Sequence, residues 1–287
     1  MRSAESLRVL VADFDLYSRL DDESAIYRNL LNVSSRVNFT YLRSQESMAI
    51  SRPPHVTTLE CRIGNSAKPP ATQPEQFWST ALSEAERIAS AIGPREFDVI
   101  EIPDYRAELL FLPLALKRVG GRVGKIVASL HRRKSRSIQF GWDRSARAQR
   151  YGQQVREWER LLYSTADVRY GFSRDHLDDW QEIRGLESIY LSPLTFLQPS
   201  KVIPFEITSE LPRLCSLGGL DRDRGVDRFL DFIWQLPRTS YSGIDIFGES
   251  AHGQFERTAV DFLKEAVESR ELDATFHTDY AHSRIES

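Results

Sequence analysis

Short β-branched or apolar runs alternate with longer amphipathic stretches along almost the whole chain. This alternation limits the fold more than any other feature. LRVLVAD (7–13), RVNFTYL (36–42), FDVIEI (97–102), GKIVASL (124–130) and ADVRYGFS (166–173) read as strands, with a short further one at HVTTLE (55–60) and another in ESIYLSPL (187–194). Between them ESAIYRNLLNV (23–33), PEQFWSTALSEAERIASAIG (74–93), AELLFLPLALKRVG (107–120), residues 144–163 and RDHLDDWQEIRG (174–185) read as helices. In the second of these, Phe77, Ala81, Ala85, Ile88 and Ile92 share one helical face, with Pro74 near the start and Gly93 at the end. Pro113 should kink or split the third. Repeated βα units imply parallel sheets with helices on both faces. Ligands on such sheets bind at the carboxyl ends of the strands.

The stretch QPSKVIPFEITSELP (198–212) carries three prolines and no long apolar run, and reads as a linker. After it the alternation restarts with RLCSLGG, VDRFLDFIWQL, GIDIFG, QFERTAVDFLKEAVES and DATFH. The expected architecture is α/β, with two doubly wound, Rossmann-like parallel-sheet domains meeting at a cleft. Residues 1–197 form the first domain, 198–212 the linker and 213–287 an incomplete second domain. Its strands are expected at 213–217, 243–247 and 273–276.

Composition narrows the class. Charged residues make up 28% of the chain, hydrophobic ones 41%, and the net charge is −3. No global basic field therefore points to nucleic acid. Cys61 and Cys215 lie far apart and lack metal-ligand spacing, which reads as two reduced thiols in a cytoplasmic protein. Asp13 and Asp15 interrupt the N-terminal apolar run too early for a signal peptide, and no run of about 18 apolar residues occurs. No His/Cys/Asp/Glu spacing marks a metal site.

One junction carries chemistry. RLCSLGGLDRDRGVDRFLDFI (213–233) runs from an apolar strand through Gly218-Gly219 and a loop holding Arg224 and Gly225 into an amphipathic helix. Backbone N–H groups at a helix start, with a nearby arginine, suit an anion. An ordinary βα turn with a solvated arginine would look the same.

Four pieces in order resemble the family 4 glycosyltransferases of the GT-B fold. FDVIEIPDYRAE (97–108) is similar to that family's strand and loop entering the cleft. GKIVASLHR is similar to its strand ending in histidine, and ADVRYGFSRDHLDDW to its alanine–aspartate strand, serine and helix. CSLGGLDRDRGVDRFLDFI resembles the opening of its donor domain. The resemblance implies a retaining hexosyl transfer from a nucleotide-diphosphate sugar to an acceptor hydroxyl, with no cofactor. It implies donor contacts at Gly218, Gly219, Arg224, Gly225 and Gly248, the last within IFGESAHG, and a sugar contact at His131.

Three departures bear on this. Gly219 stands where the family has an arginine, and Arg224 where it has a lysine. Asp21, Asp22 and Glu23 occupy the loop after the first strand, where the family has a glycine-rich one. The chain stops at Ser287, before the family's glutamate-bearing donor segment, so a truncated chain with little or no turnover is expected. The alternative is a degenerate GT-B homologue that acts as a binding or interaction protein.

The acceptor side offers Asp104 and Tyr105 at a strand end, where Asp after proline is also common turn chemistry. From His131 to Arg150 the chain holds Arg132, Arg133, Lys134, Arg136, Arg144, Arg147 and Arg150 against one acid, Asp143. Three uses compete for this cluster. It binds a phosphorylated or anionic acceptor, with Arg132, Arg133, Arg147 and Arg150 facing the cleft; it docks on anionic lipid at the inner face of a membrane, consistent with a lipid-linked acceptor; or it is a solvated face. Nucleic acid is disfavoured because few aromatics interleave.

Overall fold

The computed structural model describes residues 6–15, 36–44, 54–61, 74–131, 133–141, 144–180, 186–192, 211–218, 220, 222, 225–248 and 259–277. Arg132, Gly219, Arg224, the acidic loop at 21–23, the helix expected at 23–33 and most of the linker lie outside these residues. The chain divides into two compact units, Met1–Ser135 with Tyr151–Gln198, and Arg136–Arg150 with Pro199–Ser287.

Among the described residues the first unit is built on seven parallel strands: β1 (Leu7–Phe14), β2 (Val37–Arg43), β3 (Val56–Glu60), β4 (Glu96–Pro103), β5 (Arg122–Leu130), β6 (Val168–Gly171) and β7 (Ile189–Tyr190). Their order across the sheet is β3-β2-β1-β4-β5-β6-β7. The chain thus works outward from β1 in one direction, then returns to lay β4 on its other side. The crevice between β1 and β4 is the topological switch point, where such sheets collect ligands. From Val9 onward β1 is buried on both faces, as the continuous run VLVADF requires of a central parallel strand. Helix α1 (Pro74–Ile92) buries Ala81, Ala85, Ile88 and Ile92.

Pro113 divides the next helical segment as a proline should, but not by a kink. An irregular 3-10 stretch, Asp104–Phe111, with non-helical backbone at Arg106, gives way to helix α2 (Leu112–Arg118), which has the proline in its first turn. Two more helices follow, α3 (Lys134–Phe140) and α4 (Ala146–Thr165). The first of them lies where the sequence reads as loop. Of the helix expected over 174–185, the described residues form α5 at Arg174–Asp178, capped by Ser173, while 181–185 lie outside the described residues.

Among the described residues the second unit has three parallel strands, β8 (Arg213–Leu217), β9 (Gly243–Phe247) and β10 (Ala274–His277), in the order β10-β9-β8. Helices α6 (Val226–Trp234) and α7 (Ala259–Ser269) bury Leu230, Ile233, Leu263 and Val267 with Ile244 and Ile246 of β9. Side chains alternate along β9, so Asp245 points to the opposite face. There Arg213 donates to it from β8 at 2.7 and 2.9 Å, and His277 of β10 lies 3.0 Å away. Cys61 is buried and Cys215 exposed, both as free thiols.

Three carboxylates brace strands, Asp98 and Asp167 within the first sheet and Asp245 within the second. Asp98 takes hydrogen bonds from the Arg8 side chain and backbone, which hold its pKa below the ordinary 3.8. Asp167 is lowered by the Ile126 N–H and then Lys125, and Asp245 by Arg213. A depressed carboxylate contributes stability above its unfolded pKa and loses it as pH falls through the folded one. The melting temperature should therefore hold steady toward neutral pH and fall below about pH 4. Removing Arg8 and Arg213 together should flatten that acid limb; an unchanged limb would show these pairs are not its source.

Candidate functional site

Both candidate regions lie at carboxyl ends of strands, one in each unit. In the first, β1 reaches the switch point at Asp13, its next-to-last residue, which is fully buried. Its carboxylate accepts from the Phe14 N–H at 2.8 Å, from the Tyr105 hydroxyl at 2.7 Å and from Arg106 Nε at 3.3 Å. Asp15, in left-handed backbone at φ 58°, turns the chain away and accepts from the Ser44 N–H at 2.9 Å. A buried charge persists only when paired and hydrogen-bonded, and Asp13 satisfies both conditions. The pairing fixes Tyr105 and Arg106 over the crevice beside β4.

Asp104, buried at the end of β4, accepts from the His131 N–H at 3.1 Å. This contact is turn chemistry that also anchors the end of β5. The His131 ring, 6% exposed, sits between Tyr105 (5.7 Å between centroids) and Phe172 (5.5 Å). Phe172 in turn meets Tyr170 edge-on at 5.6 Å, and the Tyr170 hydroxyl donates to buried Glu101. Asp13, Tyr105, His131, Phe172, Tyr170 and Glu101 thus form one connected line across β1, β4, β5 and β6.

The basic segment after His131 divides into held and exposed cations. Arg133, with a side chain 10% exposed, donates to the Asp179 carbonyl at 2.9 Å, reaches Glu159 at 3.5 Å and lies 4.5 Å over the Trp180 ring. Trp180 stacks on Tyr163 at 4.7 Å, and the Arg169 guanidinium lies 5.1 Å from the centre of the Tyr163 ring. Glu159, fully buried on α4, accepts from the Ser135 N–H at 2.8 Å and from the Ser135 hydroxyl. Burial pushes the Glu159 carboxyl up, against the pull of Ser135 and Arg133. The nearby Glu108 carboxylate raises Lys134, and Arg106 donates to the same carboxylate at 3.5 Å. Arg106, Arg133 and Lys134 are therefore each matched to a carboxylate. Arg147 and Arg150 are exposed on the first turns of α4, in the other unit.

The second region gathers Gly218, Gly225 and Gly248 at the carboxyl ends of β8 and β9. Gly218 continues the ladder to the Phe247 carbonyl at 3.2 Å, and Gly248 to that of His277 at 3.2 Å. A Cβ on Gly248 would lie 1.8 Å from the Gly218 carbonyl oxygen, so only glycine allows this approach. Gly225 precedes α6 in left-handed backbone at φ 85°. Arg222 pairs at 2.7 Å with Asp227 in the first turn of α6, which offsets the charge of that carboxylate. Among the described residues no group of three or more His, Cys, Asp or Glu could hold a metal ion.

Sequence reading named His131, Asp104, Tyr105, Arg133 and the three described glycines as candidates, and did not name Asp13, Arg106, Glu108 or Glu159 among them. A signal existed for Glu159: with Ala148, Val155 and Leu162 it falls on the buried stripe of α4, a carboxylate at an apolar position.

No protein-family model and no curated protein matches the chain. Solved structures do. The α,α-trehalose-6-phosphate synthase of Burkholderia multivorans superposes with a TM-score of 0.55 at 11% identity, over 95% of this chain and 73% of that one. The N-terminal domain of Candida albicans trehalose-6-phosphate phosphatase gives 0.54 at 13% identity, over 95% and 72%. Phytolacca americana UGT2, solved with UDP-2-fluoro-glucose and pterostilbene, gives 0.50 at 10% identity, over 96% and 72%. The fold is GT-B-like. At these identities the likeness establishes architecture, and chemistry has to be argued from the two regions themselves.

Proposed function

We propose that the protein is a glycosyltransferase that moves a hexose from a nucleotide-diphosphate sugar to an acceptor hydroxyl with retention of configuration. In this reading residues 1–197 serve the acceptor and 213–287 the donor. The observation that carries it is the contact between Gly248 and the Gly218 carbonyl beside the start of α6. Side-chain-free backbone at two adjacent strand ends, next to a helix N-terminus, admits a diphosphate close to peptide N–H groups. As the bond from the sugar C1 to the diphosphate breaks, negative charge grows on the departing oxygen. N–H groups in the first turn of α6 and Arg224 would stabilise it. The acceptor oxygen bonds to C1 on the same face, and its proton passes to the departing phosphate oxygen. Retention by this route needs no carboxylate nucleophile.

On the acceptor side, Tyr105, Arg106 and His131 present the polar groups. A phosphorylated or anionic acceptor is the narrower version of the reading. It has to share Arg133 with Glu159 and Lys134 with Glu108, so a neutral hydroxyl-bearing acceptor fits these residues with less rearrangement.

Titration calorimetry with UDP, GDP and ADP, each free and as its hexose conjugate, tests the proposal. One nucleotide series should saturate with an affinity between about 1 μM and 1 mM, the usual range for enzyme substrates. No binding by any series at millimolar concentration would remove the reading. The deep burial of His131 between two rings favours a second one, a GT-B-like protein that binds a nucleotide sugar without turning it over. Release of nucleoside diphosphate from a bound conjugate in the presence of sugars separates the two: an enzyme releases it and a binder does not.

A further inference from the structure

Residues 136–150 carry charge that the proposed transfer does not use. Arg136, Arg144, Arg147 and Arg150 are all exposed. Among the described residues, none of Arg144, Arg147 and Arg150 has an acidic partner, unlike Arg133, Arg106 and Arg213 elsewhere in the chain. Phe140 is 47% exposed at the end of α3, with the Arg136 guanidinium 5.8 Å from its ring centre. The segment's sequence holds one acid, Asp143, against these four arginines. In a chain of net charge −3, four exposed arginines in so short a stretch form a local positive surface.

We propose that this segment docks the protein on the surface of an anionic lipid bilayer. Exposed arginines attract anionic headgroups without needing a converging pocket, and they release at high salt. Phe140 gives the patch one apolar side chain to place at the boundary between headgroups and acyl chains, with Arg136 beside it. A free phosphate would need a partly desolvated cradle, and these side chains stand in water. Single-stranded nucleic acid would need several aromatics to stack successive bases, whereas the sequence of residues 136–150 holds two, Phe140 and Trp142. No described helix is long and apolar enough to cross a membrane, so the attachment proposed is peripheral.

Co-sedimentation of the full chain with vesicles tests this, using phosphatidylcholine alone or mixed with a third of phosphatidylglycerol. Binding is expected to the mixed vesicles only. It should be lost between about 0.1 M salt, where the Debye length is about 10 Å, and about 1 M, where it is about 3 Å. Each arginine near such a surface contributes about fivefold in affinity, so the triple variant R144Q/R147Q/R150Q should bind about a hundredfold more weakly. The corresponding lysine triple variant should retain binding, because the surface reads charge. Phe140→Ser should weaken it further at fixed charge. An unchanged melting temperature in each variant separates lost docking from lost fold. Three results would overturn the proposal: no difference between the two vesicle types, displacement by millimolar inorganic phosphate, or binding of single-stranded RNA with none to the vesicles.

Discussion

Replacing Glu159 by alanine should lower the melting temperature by roughly 6–20 °C, the effect of losing about 3–5 kcal/mol from a unit of this size. Glu159 is fully buried and serves three donors at once: the Ser135 N–H, the Ser135 hydroxyl and Arg133. Alanine takes the Glu159 carboxylate away from the Arg133 guanidinium in a nearly closed site, and the loss of this pairing accounts for most of the effect. Arg133 also lies over Trp180, which stacks on Tyr163, so loosening it disturbs the packing beneath β6. Glu159→Gln keeps an acceptor for Ser135 and should fall about midway. Arg133→Met with Glu159→Leu removes both charges, and should recover much of the loss if the charge explanation holds. A melting temperature unmoved by Glu159→Ala would mean that the segment after His131 is held by something else.

Gly248→Ala should cost about 3 kcal/mol, the upper end of the usual range for overpacking, and should weaken nucleotide binding at least tenfold. The added methyl meets the Gly218 carbonyl oxygen at 1.8 Å and Leu220 Cδ2 at 3.0 Å. The first of these is backbone and cannot rotate aside. β8 and β9 must therefore separate at the end where the donor phosphates would sit. A control at Gly93 distinguishes site from scaffold. Its φ of 73° strains any side chain, yet a Cβ there meets nothing within 4 Å. Gly93→Ala should lower stability modestly and leave nucleotide affinity alone. Equal effects on binding from both variants would show that Gly248 acts only through the fold.

The strands were legible because a parallel sheet covered on both faces leaves continuous apolar runs, and β1, β4 and β5 each extend the expected run by one or two residues. Sequence could not rank what lies at their ends. Asp13 reads as the residue that ends an apolar run, whereas the fold makes it the buried anchor of Tyr105 and Arg106. That role depends on β4 returning beside β1, a partner 92 residues distant in the chain. Charge runs were illegible for a similar reason. Arg133 and Arg147 are equivalent letters in one basic stretch, yet Glu159 and Trp180 bury the first while the second stays in water. The short helix α3 escaped notice because its seven residues give too little periodicity to be read.

Hydrogen–deuterium exchange, with and without the nucleoside diphosphate that binds best, tests the central claim most directly, because it reports where the donor sits as well as whether it binds. The account predicts protection of the amides at Gly218, Gly225–Leu230 and Gly248, at the carboxyl ends of β8 and β9 and the first turns of α6. The strand ends of the first unit should stay unprotected until an acceptor is added. Protection confined to His131 and Asp104–Arg106, with none at Gly218 and Gly248, would contradict it.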